Sequence, residues 1–373
     1  MCRTGGRTSS LIRACIHAAI ACLGGASVAP AAVAQSVAAL RFHGTGTDQQ
    51  DRVRIAIDDN SRGPDGSTVC DVGVGSFTIE FWVRGWLVDN ATPSFGGDVE
   101  VSGPAWIDGN IVVDRDIWGS SDADWGISLA GGRVRFGTGR GDPPSGNDTE
   151  STIEGSVMVL DGAWHHVACV RQVATGRKRI VVDGDLDFES QVFLSNDNIS
   201  YPNGGVANSV TPWNPYLVLG AEKHDAGPDY PSLDGWFDEL RIWSIAREPL
   251  AIAEDRAKVL PAGTPGLVGS YRFEEGGGTA IADTSGSGGP QGLLIAGVPG
   301  NGEWALASAN PTNTAPIASS LLGDLNGDGT VNGADLALLL GAWGACSGCS
   351  ADLDGNGIVD GADLATVLGG WTS

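Results

Sequence analysis

Charged side chains are scarce in this 373-residue chain, and basic ones scarcer still: 22 Lys and Arg stand against 45 Asp and Glu. The net charge of −23 argues against nucleic acid and anionic membranes as partners, because phosphate surfaces recruit basic ones. No apolar run beyond the N-terminus is long enough to cross a bilayer. G-x-S-x-G, H-E-x-x-H and P-loop motifs are all missing, which removes the commonest signatures of serine-hydrolase, metalloprotease and nucleotide chemistry. With 57 glycines and few charges, the composition suits many turns and short strands better than helices.

Residues 1–34 read as an export signal. Arg3, Arg7 and Arg13 form a basic start without an acid, Ala14 to Val28 is apolar, and Ala32-Val33-Ala34 is a small-x-small cleavage site. Cleavage would leave Gln35 first and, by removing three arginines, take the charge from −23 to −26. The expected location is extracellular, with surface attachment an option. An oxidising compartment favours disulfides. Cys346 and Cys349 form C-x-x-C without two further zinc ligands nearby and without a thioredoxin-like context, so a local disulfide is expected. Cys70 and Cys169 are a weaker pair, or buried thiols.

The tail contains a repeat. Asp324-Leu-Asn-Gly-Asp-Gly-Thr-Val-Asn-Gly-Ala-Asp335 returns as Asp352-Leu-Asp-Gly-Asn-Gly-Ile-Val-Asp-Gly-Ala-Asp363. Oxygen side chains fall at loop positions 1, 3, 5, 9 and 12, with Gly at 6, the spacing of a calcium loop. The first loop would use Asp324, Asn326, Asp328, the Thr330 carbonyl, Asn332 and Asp335. The second would use Asp352, Asp354, Asn356, the Ile358 carbonyl, Asp360 and Asp363. Three carboxylates in the first and four in the second predict tighter calcium binding by the second. After each loop, Leu336, Leu339, Leu340, Trp343 and Leu364, Val367, Leu368, Trp371 run i, i+3, i+4, i+7, predicting two helices with facing apolar stripes. Residues 321–373 resemble the type I dockerin, a calcium-dependent docking module of secreted polysaccharide-degrading proteins. The resemblance implies a cohesin-like scaffold as partner. Gly333-Ala334 and Gly361-Ala362 stand where cohesin-binding members often carry Ser-Thr.

From Gln35 to residue 309 the chain reads as short antiparallel strands joined by Gly, Asp, Asn and Pro turns, a mostly β sandwich with one helix at Pro249 to Lys258. Ala39 to Gly44, Phe77 to Arg84, Ala163 to Ala168, Val182-Asp-Gly184 and Gly235 to Trp243 resemble the laminin-G-like jelly roll of the concanavalin A-like lectin/glucanase superfamily. Residues 86–122 and 190–215 read as insertions, and 310–320 as a Pro/Thr/Ser-rich spacer. The resemblance implies a glycan or cell-surface ligand. It also offers an edge calcium site, for which Asp238 and Asp283 match positions, although both also fit ordinary turn capping.

Glucanases of this fold place three carboxylates on one strand face. Here Asp185-Leu-Asp187-Phe-Glu189 is the nearest run, and it is also what a half-exposed strand looks like. His165 and His166 are adjacent, so on a strand they point to opposite faces; His43 and His224 stand alone. Trp106, Trp118, Trp125 and Trp213 lie near loops and are candidates to stack on sugar rings or to be buried. Three functions follow: a secreted non-catalytic binding protein with an attachment module, a glycoside hydrolase, or a structural surface protein.

Overall fold

The computed structural model describes residues 36–44, 51–58, 67–117, 120–139, 150–201, 216–224, 226–296, 304–306, 310–317, 323–325, 331–346, 349, 351–354 and 356–371. The whole expected signal, residues 1–34, and Gln35 lie outside the described residues.

Among the described residues, two antiparallel sheets make a sandwich. The first runs β11 (Asp185–Glu189), β10 (Arg177–Val182), β9 (His165–Gln172), β3 (Phe77–Gly85), β13 (Gly235–Trp243), β1 (Ala38–Phe42) and β17 (Trp304–Leu306), with β14 (Leu267–Tyr271) also paired to β13. The second runs β15 (Ala280–Ile281), β16 (Gly292–Ile295), β2 (Arg52–Ala56), β12 (Tyr216–Leu219), β5 (Asn110–Ile117), β6 (Ser120–Ala130), β7 (Arg133–Gly139), β8 (Glu150–Glu154) and β4 (Val99–Ser102). Alternation puts Phe77, Ile79, Phe81 and Val83 of β3 into one interior with Val113, Ile127 and Phe136 of the second sheet. Phe77 bridges the sheets, its ring 5.1 Å from Trp125 and 6.2 Å from Phe136. Each such ring contributes roughly 1.5–3 kcal/mol by leaving water.

Part of the segment expected to be an insertion is integral. β5 lies between β12 and β6, and Val112, Val113 and Ile117 are fully or almost fully buried in the core. Its Asp114-Arg-Asp116 hides the strand from a hydrophobicity reading. The loop before it carries Trp106 onto β6 and β7. A Cβ on Gly126 or Gly137 would lie 2.1 or 1.9 Å from that ring, so only glycine admits it. Trp106 and Trp125 are both 1% exposed, which removes them as sugar platforms; Trp118 and Trp213 lie outside the described residues.

The outer face of the first sheet is covered as well. Helix α1 (Pro249–Asp255) seats Ile252 on Ala168, Val170 and Val181. The expected spacer is not free: Ala315 and Ile317 are buried against Trp82, and Trp164 Nε1 donates to the Thr312 carbonyl at 3.0 Å. Under this cover Glu80 has no exposed surface, and Arg247 Nη1 donates to it at 2.7 Å. Arg247 also reaches Asp255 at 2.6 Å, tying helix to sheet. Burial pushes the Glu80 carboxyl up, while Arg247 and Arg241 pull it back.

The tail has its own small core of Val331, Leu339, Ala351, Val359 and Val367, closed by α2 (Gly333–Gly341), α3 (Gly361–Gly369) and a ribbon of β18 (Gly344–Ala345) with β19 (Ile358–Val359). The predicted helical stripes divide. Leu339 and Val367 are buried and Leu336 and Leu364 pack against them, but Leu340, Trp343, Leu368 and Trp371 are 44–53% exposed. The helices end at Gly341 and Gly369, so the i+7 tryptophans fall beyond them.

Glu80→Leu should cost about 3–5 kcal/mol in denaturant unfolding, because Arg247 and Arg241 are left buried beside a lost carboxylate. Glu80→Leu combined with Arg247→Met should recover part of that loss.

Candidate metal centre

Each repeat loop is closed by its position-12 aspartate. Asp335 Oδ1 accepts the Leu325 N–H and its Oδ2 the Asn332 N–H, both at 2.8 Å. Asp363 does the same for Leu353 at 2.7 Å and Asp360 at 2.8 Å. The residue before each helix completes a capping box: Asn332 accepts from Ala334, and Asp360 from Ala362, at 2.8 Å. One carboxylate therefore joins the start of the loop to the start of the helix. Both Asp335 and Asp363 are fully buried.

In the second loop, oxygens of Asp352, Asp354 and Asp363 lie within 4.8 Å of one another. Asp352 is steered by N–H groups of Asn356 at 3.1 Å and Gly357 at 2.7 Å, and Asn356 Oδ1 accepts the Ile358 N–H at 2.8 Å. Asp360 stands outside this trio and serves as the helix cap. In the first loop Asp324, Asn332 and Asp335 are described, whereas Asn326, Asp328 and Thr330 lie outside the described residues. The chemistry of the trio is hard oxygen on a tight turn, which suits a calcium-sized ion.

Cys346 and Cys349 join in a disulfide between the loops, with Cα atoms 5.7 Å apart, and both pack against the tail core. Cys70 and Cys169 are free and buried, so that expected pairing is not formed. Cys70 Sγ lies against Val268 and Tyr271, 3.0 Å from where a Gly269 Cβ would stand. Gly269 pairs with Ile242, Ile242 with Ile79, and Ile79 with Cys169. Three strand spacings, about 14 Å, separate Gly269 from Cys169, beyond any disulfide's reach.

Asp238 and Asp283 both make hydrogen bonds within the fold. Buried Asp238 accepts the Ala315 N–H at 3.0 Å and so holds the docked segment. Asp283 accepts N–H groups of Ser270, Ser285 and Gly289 at 2.8–3.0 Å. They belong to no shared ligand cluster among the described residues.

The carboxylates of β11 do not share a face. The register slips between Ile180 and Val181, so Asp185 pairs with Val182 and Glu189 with Arg179. Val182 points into the core and Arg179 away from it, which sends Asp185 and Glu189 to opposite sides. The bulge absorbs Asp187, whose carboxylate accepts from Ser156 and Val157, while Glu189 is held by Arg177 and Arg179.

The adjacent histidines divide as strand geometry requires. His166 is buried, edge-on to Trp82 at 5.4 Å, and burial holds its pKa well below the ordinary value. His165 Nδ1 meets Asp183 at 2.8 Å and its Nε2 meets Asp161 at 3.2 Å. His43 and His224, isolated in sequence, are not isolated in space: His43 Nδ1 is 2.7 Å from Asp51, and His224 Nδ1 is 2.9 Å from Asp116. Their partners are remote along the chain or of a type too common to single out, so no spacing signal marks them.

The hydrogen bond to Asp183 raises the His165 pKa. Its stabilising contribution is therefore full below the unfolded value of about 6.5 and lost as pH rises through the folded value. His165→Gln should lower the melting temperature more at pH 5.5 than at pH 9; an equal loss at both would show that the charge is idle.

A family model described as the concanavalin A-like lectin/glucanases superfamily matches residues 58–253. Among solved structures, a Bacteroides ovatus protein provisionally described as carbohydrate-binding is 17% identical, with a TM-score of 0.45 over 76% of this chain and 62% of its own. The chain thus spans about three fifths of that protein. A heptameric SAP-like pentraxin from Limulus polyphemus is 10% identical, with a TM-score of 0.37 over 70% of this chain and 95% of its own. Botulinum neurotoxin type C, described as entering cells through two ganglioside molecules, is 16% identical, with a TM-score of 0.36 over 57% of this chain and 41% of its own. No curated protein matches the chain in sequence.

Proposed function

The chain belongs to the concanavalin A-like lectin/glucanase superfamily, and from that premise we propose that it is an exported, non-catalytic binding protein. Its sandwich engages a glycan or a cell-surface partner. Its tail is a dockerin-like module, organised by calcium, that attaches the protein to a cohesin-like scaffold or an envelope component in the setting of polysaccharide breakdown. The observation that carries the reading is the convergence of Asp352, Asp354 and Asp363 on a loop closed at its helix. The duplicated sequence supports a second ion in the first loop. The basic, apolar and small-residue segments of positions 1–34 support export, and no described helix is long and apolar enough to cross a membrane.

Binding is favoured over glycoside hydrolysis by the strand that was the best catalytic candidate. A retaining enzyme needs two carboxyls about 5–5.5 Å apart flanking one sugar bond. Asp185 and Glu189 lie on opposite faces, and Glu189 is engaged by two arginines.

Two measurements test the proposal. Limited proteolysis of the full chain should cut within residues 321–373 in EDTA but not in millimolar calcium, and Asp363→Ala should remove the protection; the same digestion pattern in both buffers refutes the calcium module. The full chain should be retained on insoluble polysaccharide without releasing reducing ends. Release of reducing ends that disappears in Glu189→Gln would instead establish a hydrolase.

A further inference from the structure

The outer face of the second sheet holds a cluster that the tail does not explain. Gly220, at a φ of +85°, turns the chain after β12 so that Glu222, Lys223 and His224 come beside Asp114 and Asp116 of β5. His224 Nδ1 lies 2.9 Å from Asp116 Oδ2 and 3.4 Å from Glu222 Oε1. The side chains are buried, with 3% of His224, 2% of Glu222 and 12% of Asp116 exposed. We propose that Asp116, Glu222 and His224 form a binding site for one divalent transition-metal ion of the zinc type.

The spacing fits. Zinc bonds to imidazole nitrogen and carboxylate oxygen are about 2.0–2.2 Å, and two such ligands at 90–110° stand roughly 3–3.5 Å apart. Three protein ligands leave a fourth position for water or a ligand. The imidazole selects against calcium, which takes oxygen, and for zinc and its neighbours.

The ligands are also held. Asp114 acts as a clamp between the two ligand-bearing segments: its Oδ1 accepts the Asp116 N–H at 2.7 Å and its Oδ2 the Lys223 N–H at 2.8 Å. Glu222 Oε2 accepts the His224 N–H at 2.6 Å, which aims Oε1 at the centre. The Lys223 ammonium is directed at the carbonyls of Asp116 and Tyr216. Outer hydrogen bonds of this sort fix ligand orientation in built metal sites. The rival arrangement is a protonated imidazole shared between the two carboxylates.

The full chain, stripped with chelator and kept in excess calcium to saturate the tail, is titrated with Zn²⁺ by calorimetry. The imidazole resonances are followed by ¹H–¹⁵N NMR. The expected result is one equivalent of Zn²⁺ taken up in calcium, with the His224 Nδ1 signal changing from protonated to metal-bound. His224→Gln and Glu222→Gln should each weaken uptake by at least the 10- to 100-fold or so that loss of even an outer partner causes, and Asp114→Asn by roughly 10-fold. Uptake unchanged in both ligand variants overturns the proposal. So does a wild-type His224 that stays imidazolium at neutral pH with Zn²⁺ present, a readout that stands even if a variant fails to fold.

Discussion

Strand β3 is buried on both faces, and much of the molecule follows from that constraint. Its odd-numbered residues make the sandwich core. Three of its even-numbered residues, Thr78, Glu80 and Trp82, would otherwise face water, yet they are 0–5% exposed. A buried carboxylate must be paired or neutralised. Arg247 supplies the pairing, and to do so it must arrive on the segment that leads into α1. Trp82 in turn packs with Ala315 and Ile317 and gives its indole N–H to the Arg256 carbonyl. The buried charge of Glu80 thus goes with the position of the helix, and the neighbouring Trp82 with that of the segment leading to the tail. Buried pairs of this kind add little net stability, but losing one partner is costly, so they bias the fold toward one arrangement.

The tail solves a different problem with the same group. Its core is too small to hold two nine-residue helices by apolar burial alone. Aspartates at the loop ends accept backbone N–H groups from two directions, satisfying donors at the helix starts that would otherwise be orphaned. The same oxygens are the ones a divalent ion would bind. Loop closure and helix capping run through single side chains, to which ion binding would be coupled, and the disulfide of Cys346 with Cys349 braces the chain between the two loops.

Much of this was legible in the order of residues. The alternation in Phe77-Thr-Ile-Glu-Phe-Trp-Val-Arg84 marks a strand, and Pro249 marks the start of a helix observed at Pro249–Asp255. The 28-residue repeat locates both tail loops, and their capping boxes can be read from Asn332-x-x-Asp335 and Asp360-x-x-Asp363. Elsewhere pattern misled. β5 looked like an insertion because Asp114, Arg115 and Asp116 interrupt its apolar residues, while the sheet buries all three. The acidic alternation of β11 implied one shared face until a bulge, invisible in a single strand, split it. Pro and Thr at 311–316 suggested a spacer because composition reports flexibility in isolation and not a docking surface that the spacer can reach.

The sequence by itself determined the period of each element, the turns, the helix caps, the repeat and the acidic oxygen-rich loops, since all of these depend on neighbours within a few residues. Only the tertiary structure decided which tryptophans are buried, that Cys70 and Cys169 stay apart, and that His224 meets Asp116 from 108 residues away. Those outcomes depend on strand order and on register between segments remote in the chain. A one-residue shift in pairing moves a side chain to the opposite face, and no local pattern records it.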